Sequence, residues 1–162
     1  MISFVVAITK NFVMAKNGGL PWHLKTDKQY YLDKVRGHIM VVGSTTYPQL
    51  SPDITDREKI VLSNDPRYQP EGVTVVHSAQ EALEHIQTDE EVMVIGGGKV
   101  FASMLPYADR MYITEIDATL DGDVFFPRFS RDEWQEVSRE HHVKDADNEY
   151  DFDFVVYDRI KN

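Results

Sequence analysis

Apolar residues rich in valine and isoleucine recur in short unbroken runs up to residue 95: ISFVVAI at 2–8, HIMVVG at 38–43, KIVLS at 59–63, VTVVH at 73–77 and EVMVI at 91–95. Runs of this length without polar alternation suit strands covered on both faces, and they predict a largely parallel sheet. The intervening polar stretches predict helices near 24–36, 44–50, 79–87 and 98–108. In AQEALEHIQ, at 79–87, Ala79, Ala82, Leu83 and Ile86 form one helical stripe, a face that must be buried. Strand and helix alternate, so the class is α/β with helices on both faces of a sheet.

Beyond Pro106 the pattern changes to three longer segments with period-two alternation, RMYITEID, EWQEVSREHHV and YDFDFVVYD. Alternation of this kind belongs to partly exposed strands, which predicts an antiparallel pair at one sheet edge. Tyr150, Phe152, Phe154 and Val156 share a face there, and core packing explains them better than cofactor stacking. Ligands of open α/β sheets sit beyond the carboxyl ends of the strands, which directs attention to Ala7, Gly43, Ser63 and Gly96.

Composition narrows the picture. A chain of 162 residues suits one domain, taken here as 1–162, and 42% hydrophobic residues give it a sizeable core. No apolar run approaches the ~20 residues of a membrane span. The N-terminus MISFVVAITK reads as a first strand rather than a leader, so the expected location is cytoplasmic. Seventeen basic against 27 acidic residues leave a net charge of -10, which opposes nucleic acid or an anionic membrane as partner. Zero cysteines exclude disulfides and thiolate metal sites.

Four stretches carry candidate chemistry. Gly96-Gly97-Gly98-Lys99 follows a strand and opens a helix, but it fits neither the G-x-G-x-x-G fingerprint nor the P-loop, because Phe101 and Val100 stand where those motifs need Gly and Ser or Thr. Three glycines in a row serve either a tight turn or the close approach of a ligand to bare backbone. In GGLPWHLKTDKQYY, Asp27 lies early in a helix with Trp22 before it and Tyr31 one turn later. A carboxylate there complements the helix N-terminus, yet the Gly-Gly-Leu-Pro-Trp approach looks like a flap over a site. Arg57 enters a strand from a loop, either solvated or clamping a carboxylate. Gly43-Ser44-Thr45-Thr46 ends a strand and opens a helix, a place for capping or for holding an anion. His141 and His142 are adjacent and cannot share one face of a strand, which argues against a metal pair.

Taken together, ISFVVAI, LPWHL with Asp27 five residues after Trp22, IMVVG before a threonine-containing turn, Arg57 before KIVLS, VIGGG, YITEID and GDVFFP resemble bacterial-type dihydrofolate reductases from end to end. The resemblance implies a mostly parallel eight-stranded central sheet with an antiparallel C-terminal strand and four flanking helices. It implies hydride transfer from NADPH to C6 of dihydrofolate with protonation at N5, a step of one-carbon metabolism. Dihydrofolate and antifolates are the implied small-molecule ligands of a monomeric enzyme.

By the same resemblance Asp27 is the pocket carboxylate on the pterin's amidine edge, with Thr114 behind it. Leu20 and Trp22 belong to the flap. Val5, Val6, Ala7, Tyr31, Leu50 and Ile54 wall the pocket, and Arg57 clamps the glutamate carboxylate. The implied cofactor contacts are Ala7, Met14, Gly19, Leu20, Gly43, Ser44, Thr45, Thr46, Leu62, Ser63, Asn64, Ile95, Gly96, Gly97, Gly98, Lys99, Val100 and Phe101. A cis peptide between Gly96 and Gly97 is also implied, with the helix after Gly98 facing the pyrophosphate.

The chain departs from the usual pattern at Met14-Ala15, where Ile-Gly is common, and at Lys28 and Phe101, where an apolar residue and a tyrosine are common. Ser44 stands where an arginine commonly grips the cofactor's 2'-phosphate, with Asn64 and Lys99 as partial substitutes. Two rivals stand beside the folate reading: a same-fold reductase of another heterocycle, such as a flavin precursor, and a silent dinucleotide-binding module. Asp27 after LPW, together with Arg57, favours folate over the first. The presence of both Asp27 and the glycines argues against the second.

Overall fold

A computed structural model of the chain describes residues 1–52, 54 and 57–161. Its main sheet is built from β1 (Ile2–Thr9), β3 (Met40–Gly43), β4 (Lys59–Leu62), β5 (Thr74–Val76), β6 (Val92–Val94), β7 (Arg110–Ile116), β9 (Trp134–His142) and β10 (Phe152–Arg159). They lie in the order β5-β4-β3-β6-β1-β7-β10-β9. All pairs from β5 to β7 are parallel, while β10 runs antiparallel to both β7 and β9. The short β2 (Val13–Ala15) and β8 (Val124–Phe125) form a separate antiparallel pair.

The unbroken apolar runs have a direct structural reason. Along β1, Phe4, Val6 and Ile8 pack toward the layer holding Phe101 and Met104, while Val5 and Ala7 pack toward the opposite layer. The first layer is closed by α2 (Ala79–His85) and α3 (Gly98–Met104), and the second by α1 (Lys25–Val35). Ala82 is fully buried, with Ala79, Leu83 and Ile86 packed against the core beside it, as the stripe requires. At the antiparallel edge Phe152 and Phe154 are buried in the core, and Tyr30 stacks on Phe154 at 3.9 Å between centroids.

The structure corrects the helix expected over 44–50. Among the described residues that stretch holds only a 3-10 turn, Tyr47–Gln49. Thr45 and Thr46 are poor helix formers, Pro48 fits only a first turn, and Leu50 is already extended at ψ 144°. The helix expected over 98–108 likewise ends at Met104 and tightens into a 3-10 turn at Leu105–Tyr107, where Pro106 supplies no N–H. The described residues therefore carry three α-helices rather than four. None of those helices is long and apolar enough to cross a membrane.

Candidate active site

Asp27 owes its position to contacts distant in sequence. Leu24 caps α1 without a side-chain hydrogen bond. The free N–H of Thr26 instead donates to Asn148 Oδ1 at 3.1 Å, Asn148 Nδ2 donates to Thr26 Oγ1 at 3.0 Å, and Lys25 N donates to the Asp147 carbonyl at 3.1 Å. A buried asparagine from the turn before β10 thus does the work of an N-cap. It holds the first turn of α1, and Asp27 with it, over the end of β7.

There Thr114 Oγ1 donates to Asp27 Oδ1 at 2.5 Å. Trp22 and Leu24 are buried nearby, in a cluster with Ile116, Phe152 and Phe154. Asp27 keeps some accessible surface, yet burial pushes its carboxyl up to about 6. The bond from Thr114 favours the charged form and offsets part of that rise. Thr114→Val, which keeps the shape and removes the donor, is therefore expected to move the Asp27 titration midpoint further upward. Carbon-13 NMR of the aspartate carboxyls reads this directly, and a downward movement would contradict the role given to the hydroxyl.

The expected pocket walls mostly converge on the α1 side of the sheet. Val5, Ile54 and Ile95 are buried in one cluster with Tyr31 and Leu50 packed against it, and Ala7 adjoins the cluster of Trp22. Val6 does not join them. Its side chain packs on the opposite layer because strand residues alternate, so it offers this side only its main chain.

Beyond β1 lies the glycine-rich edge. Gly43 N donates to the Gly96 carbonyl at 2.7 Å, Ser44 N donates to the Leu62 carbonyl at 3.0 Å, and Gly96-Gly97 is a cis peptide. The ends of β3, β4 and β6 therefore meet, bringing Gly43, Ser44, Thr45, Thr46, Leu62, Ser63, Asn64, Ile95, Gly96, Gly97, Gly98 and Lys99 to one end of the sheet. A Cβ at Gly97 would stand 3.1 Å from Thr46 Oγ1, and one at Gly43 would stand 3.0 Å from Val100 Cγ2. Bare backbone is needed where these two turns approach. Lys99, Thr45 and Asn64 are exposed, whereas Ser63 is buried and accepts a bond from Asp65 N. Val100 and Phe101 face the core. Phe101 is wholly buried against Phe4 and Phe126, and it reaches this edge only through Gly96, whose added Cβ would lie 3.3 Å from its ring.

The flap residues sit on a hairpin tied to the far strand pair. Lys16 and Gly19 exchange hydrogen bonds of 2.9 and 3.0 Å around Asn17 and Gly18, both at positive φ. Met14 lies in β2 and packs against the core, Trp22 is buried, and Leu20 is 66% exposed. Sequence reasoning missed the far anchors of this loop: Asp123 N donates to the Ala15 carbonyl at 3.1 Å, and Asp123 Oδ2 accepts from Asn17 N at 2.9 Å. It also missed two partners of Arg57 among the described residues. That guanidinium donates through Nη1 and Nη2 to Glu90 Oε1 and Oε2 at 3.1 and 2.9 Å, and through Nη1 to the Gly37 carbonyl at 3.2 Å. Both anchors join residues far apart in the chain and leave no local signal.

A buried carboxyl with a raised pKa and a glycine-lined strand edge, separated by the end of β1, suit proton transfer beside a bound dinucleotide. Comparison with known proteins gives the same direction. The family model for dihydrofolate reductase matches residues 1–159. A dihydrofolate reductase of Bacillus subtilis (strain 168) is 36% identical over 159 residues, covering 98% of this chain and 95% of that one. A type 3 dihydrofolate reductase of Salmonella typhimurium is 38% identical, covering 98% of each. Among solved structures, a dihydrofolate reductase from Enterococcus faecalis complexed with NADP(H) and RAB-propyl superimposes with a TM-score of 0.88 at 36% identity, covering 99% of this chain and 97% of that one.

Proposed function

Because the chain belongs to the dihydrofolate reductase family, it reduces 7,8-dihydrofolate to 5,6,7,8-tetrahydrofolate with NADPH, and we propose that Asp27 is the residue that couples this reaction to a proton. The observation carrying the proposal is the Asp27 carboxyl, hydrogen-bonded to Thr114 and pushed up to about 6 at the end of the sheet beside the glycine edge. With its midpoint there, about one molecule in ten holds the acid form at pH 7, so a proton is available inside the pocket near neutrality. Ionised, the carboxylate accepts bonds from the amino and ring N–H groups of the pterin and fixes the ring's orientation. Protonated, it keeps a hydrogen within the dry site for delivery toward N5. The backbone of Val5 to Ala7 lies between the carboxyl and the glycine edge, where Val5 and Ala7 support the ring. Trp22 and Leu20, carried by the flap, exclude water from the reacting face.

The glycine edge fits NADPH, since Gly43 and the turn from Gly96 to Gly98 present bare backbone at the carboxyl ends of the parallel strands, where a dinucleotide can approach closely. When bound, NADPH supplies the hydride that C6 receives. Gly43 to Thr46, Leu62 to Asn64, and Ile95 to Lys99 would hold it. The reading extends to one domain over 1–162 acting as a cytoplasmic monomer, with antifolates competing at the pterin site. It is tested by following the loss of NADPH absorbance with dihydrofolate, which should be rapid with wild-type protein and slow in a Thr114→Val, Asp27→Asn double variant.

The 2'-phosphate of the cofactor would meet neutral donors at Ser44 and Thr45 and one flexible charge at Lys99, in a protein of net charge -10. NADPH is accordingly expected to be preferred over NADH by a modest margin. Ser44→Arg should tighten NADPH by about 1 to 2 kcal/mol and leave NADH nearly unchanged, with the gain shrinking as salt rises. Dissociation constants for both cofactors at two ionic strengths check this. Equal tightening of both would show that position 44 does not face the phosphate.

A further inference from the structure

We infer that Glu90 competes with the substrate's tail carboxylate for Arg57, and so sets how far this enzyme favours pterins that carry an anionic tail over those that do not. The inference rests on the reading of Arg57 as the tail clamp. A guanidinium offers a carboxylate its strongest grip as two parallel N–H bonds, and the two terminal nitrogens of Arg57 already make that pair with Glu90, at 3.1 and 2.9 Å. Nη1 is further engaged by the Gly37 carbonyl.

Glu90 is held for the task. Its N–H donates to Thr88 Oγ1 at 3.1 Å, Thr88 Oγ1 donates to its Oε2 at 3.3 Å, and its carbonyl accepts from the N-terminal ammonium at 3.3 Å. The carboxylate is therefore anchored at the turn before β6 and not a chance conformer of a free side chain. Arg57 in turn holds the Glu90 carboxyl below the usual carboxylate range, so it stays ionised through the neutral region.

A tail carboxylate reaching Arg57 has two options, and Glu90 opposes both. On the same pair of nitrogens it must displace Glu90. On any other edge of the guanidinium it sits beside a second negative charge. The pair is exposed enough, at 34% for Arg57 and 54% for Glu90, that a ligand can displace it. Pairs of this kind are worth up to roughly a factor of five in an equilibrium constant, so the effect is a tuning of affinity and not a block.

Glu90→Gln keeps the size of the side chain and removes its charge. Dissociation constants for dihydrofolate and for 6-methyl-7,8-dihydropterin, which lacks the benzoylglutamate tail, should be measured on wild-type, Glu90→Gln, Arg57→Ala and the double variant. The expected result is a roughly two- to fivefold tightening of dihydrofolate by Glu90→Gln, no change for the dihydropterin, and no effect of Glu90→Gln once Arg57 is alanine. Equal tightening of both ligands, weaker binding of dihydrofolate, or no change at all would overturn the competition. If Arg57→Ala itself leaves dihydrofolate affinity intact, the clamp reading falls and takes the inference with it. If Arg57→Ala weakens dihydrofolate while Glu90→Gln is silent, the clamp stands and only the role of Glu90 is lost.

Discussion

Asp27→Asn is expected to fold and to lose turnover of dihydrofolate at pH 7 by about 10²- to 10⁴-fold, while becoming harder to melt at pH 8. The loss of rate follows from removing a group that holds a proton in a site sheltered from water. The gain in stability follows from the same burial. A carboxyl whose folded-state pKa is raised binds its proton more tightly in the native protein than in the unfolded chain. Its ionisation therefore weakens the fold as pH climbs from the ordinary carboxylate value to about 6, and the penalty is constant above that. The penalty is about 2 to 3 kcal/mol, which asparagine escapes. For a chain of this length it corresponds to a rise in melting temperature of roughly 5 to 10 °C. The rise should be present at pH 8 and absent near pH 2.5, below both values. A variant equally stable at pH 8, or one as active as wild type, would mean that Asp27 ionises in water and not in a desolvated pocket.

Gly122→Ala should have the largest effect on stability outside the core. A Cβ there would lie 2.2 Å from Val13 Cγ1 and 2.8 Å from the Ala15 carbonyl. Val13 is itself fully buried, and the carbonyl belongs to the backbone of β2 and moves only with the strand. Relief therefore requires β2 and β8 to part, along with the contacts Asp123 makes to Ala15 and Asn17. The expected destabilisation is about 2 to 3 kcal/mol. Because Leu20 and Trp22 ride on the same loop, turnover should fall with it, by roughly tenfold or more. Melting temperature and hydrogen exchange at Val13 and Ala15 check the two parts. An unchanged melting temperature with protected amides would show that the loop absorbs the methyl group.

Much of the scaffold was legible because it follows local rules. The apolar runs at 2–8, 38–43, 59–63, 73–77 and 91–95 read as buried parallel strands since each really has core on both faces. Of the alternating segments after Pro106, those of β9 and β10 form the antiparallel edge, whereas the first is β7, a mostly buried strand parallel to β1. Where Pro48 and two threonines met, chain spacing alone suggested a helix and local stereochemistry allowed only a turn. The same alternation that identifies β1 as a strand separates Val6 from Val5 and Ala7.

The candidate site was legible mainly through resemblance. Asp27 alone reads as an ordinary helix-start carboxylate, and what changes its chemistry is burial in the completed fold, together with the bond from Thr114, 87 residues away. Asn148, which replaces the missing cap of α1, is 122 residues from Thr26. Glu90 lies 33 residues from Arg57 and has no pattern that announces the pair. Long-range contacts of this kind depend on the completed sheet order and cannot be found by periodicity or by turn chemistry.

The measurement closest to the central claim is the rate of hydride transfer from NADPH to dihydrofolate in single turnovers between pH 5 and 9, for wild type and for Asp27→Asn side by side. If Asp27 couples the reaction to a proton, the wild-type rate should be highest in acid and fall about tenfold per pH unit above about 6, with the slower variant losing that midpoint. A flat wild-type profile, or the same midpoint in both proteins, would contradict it.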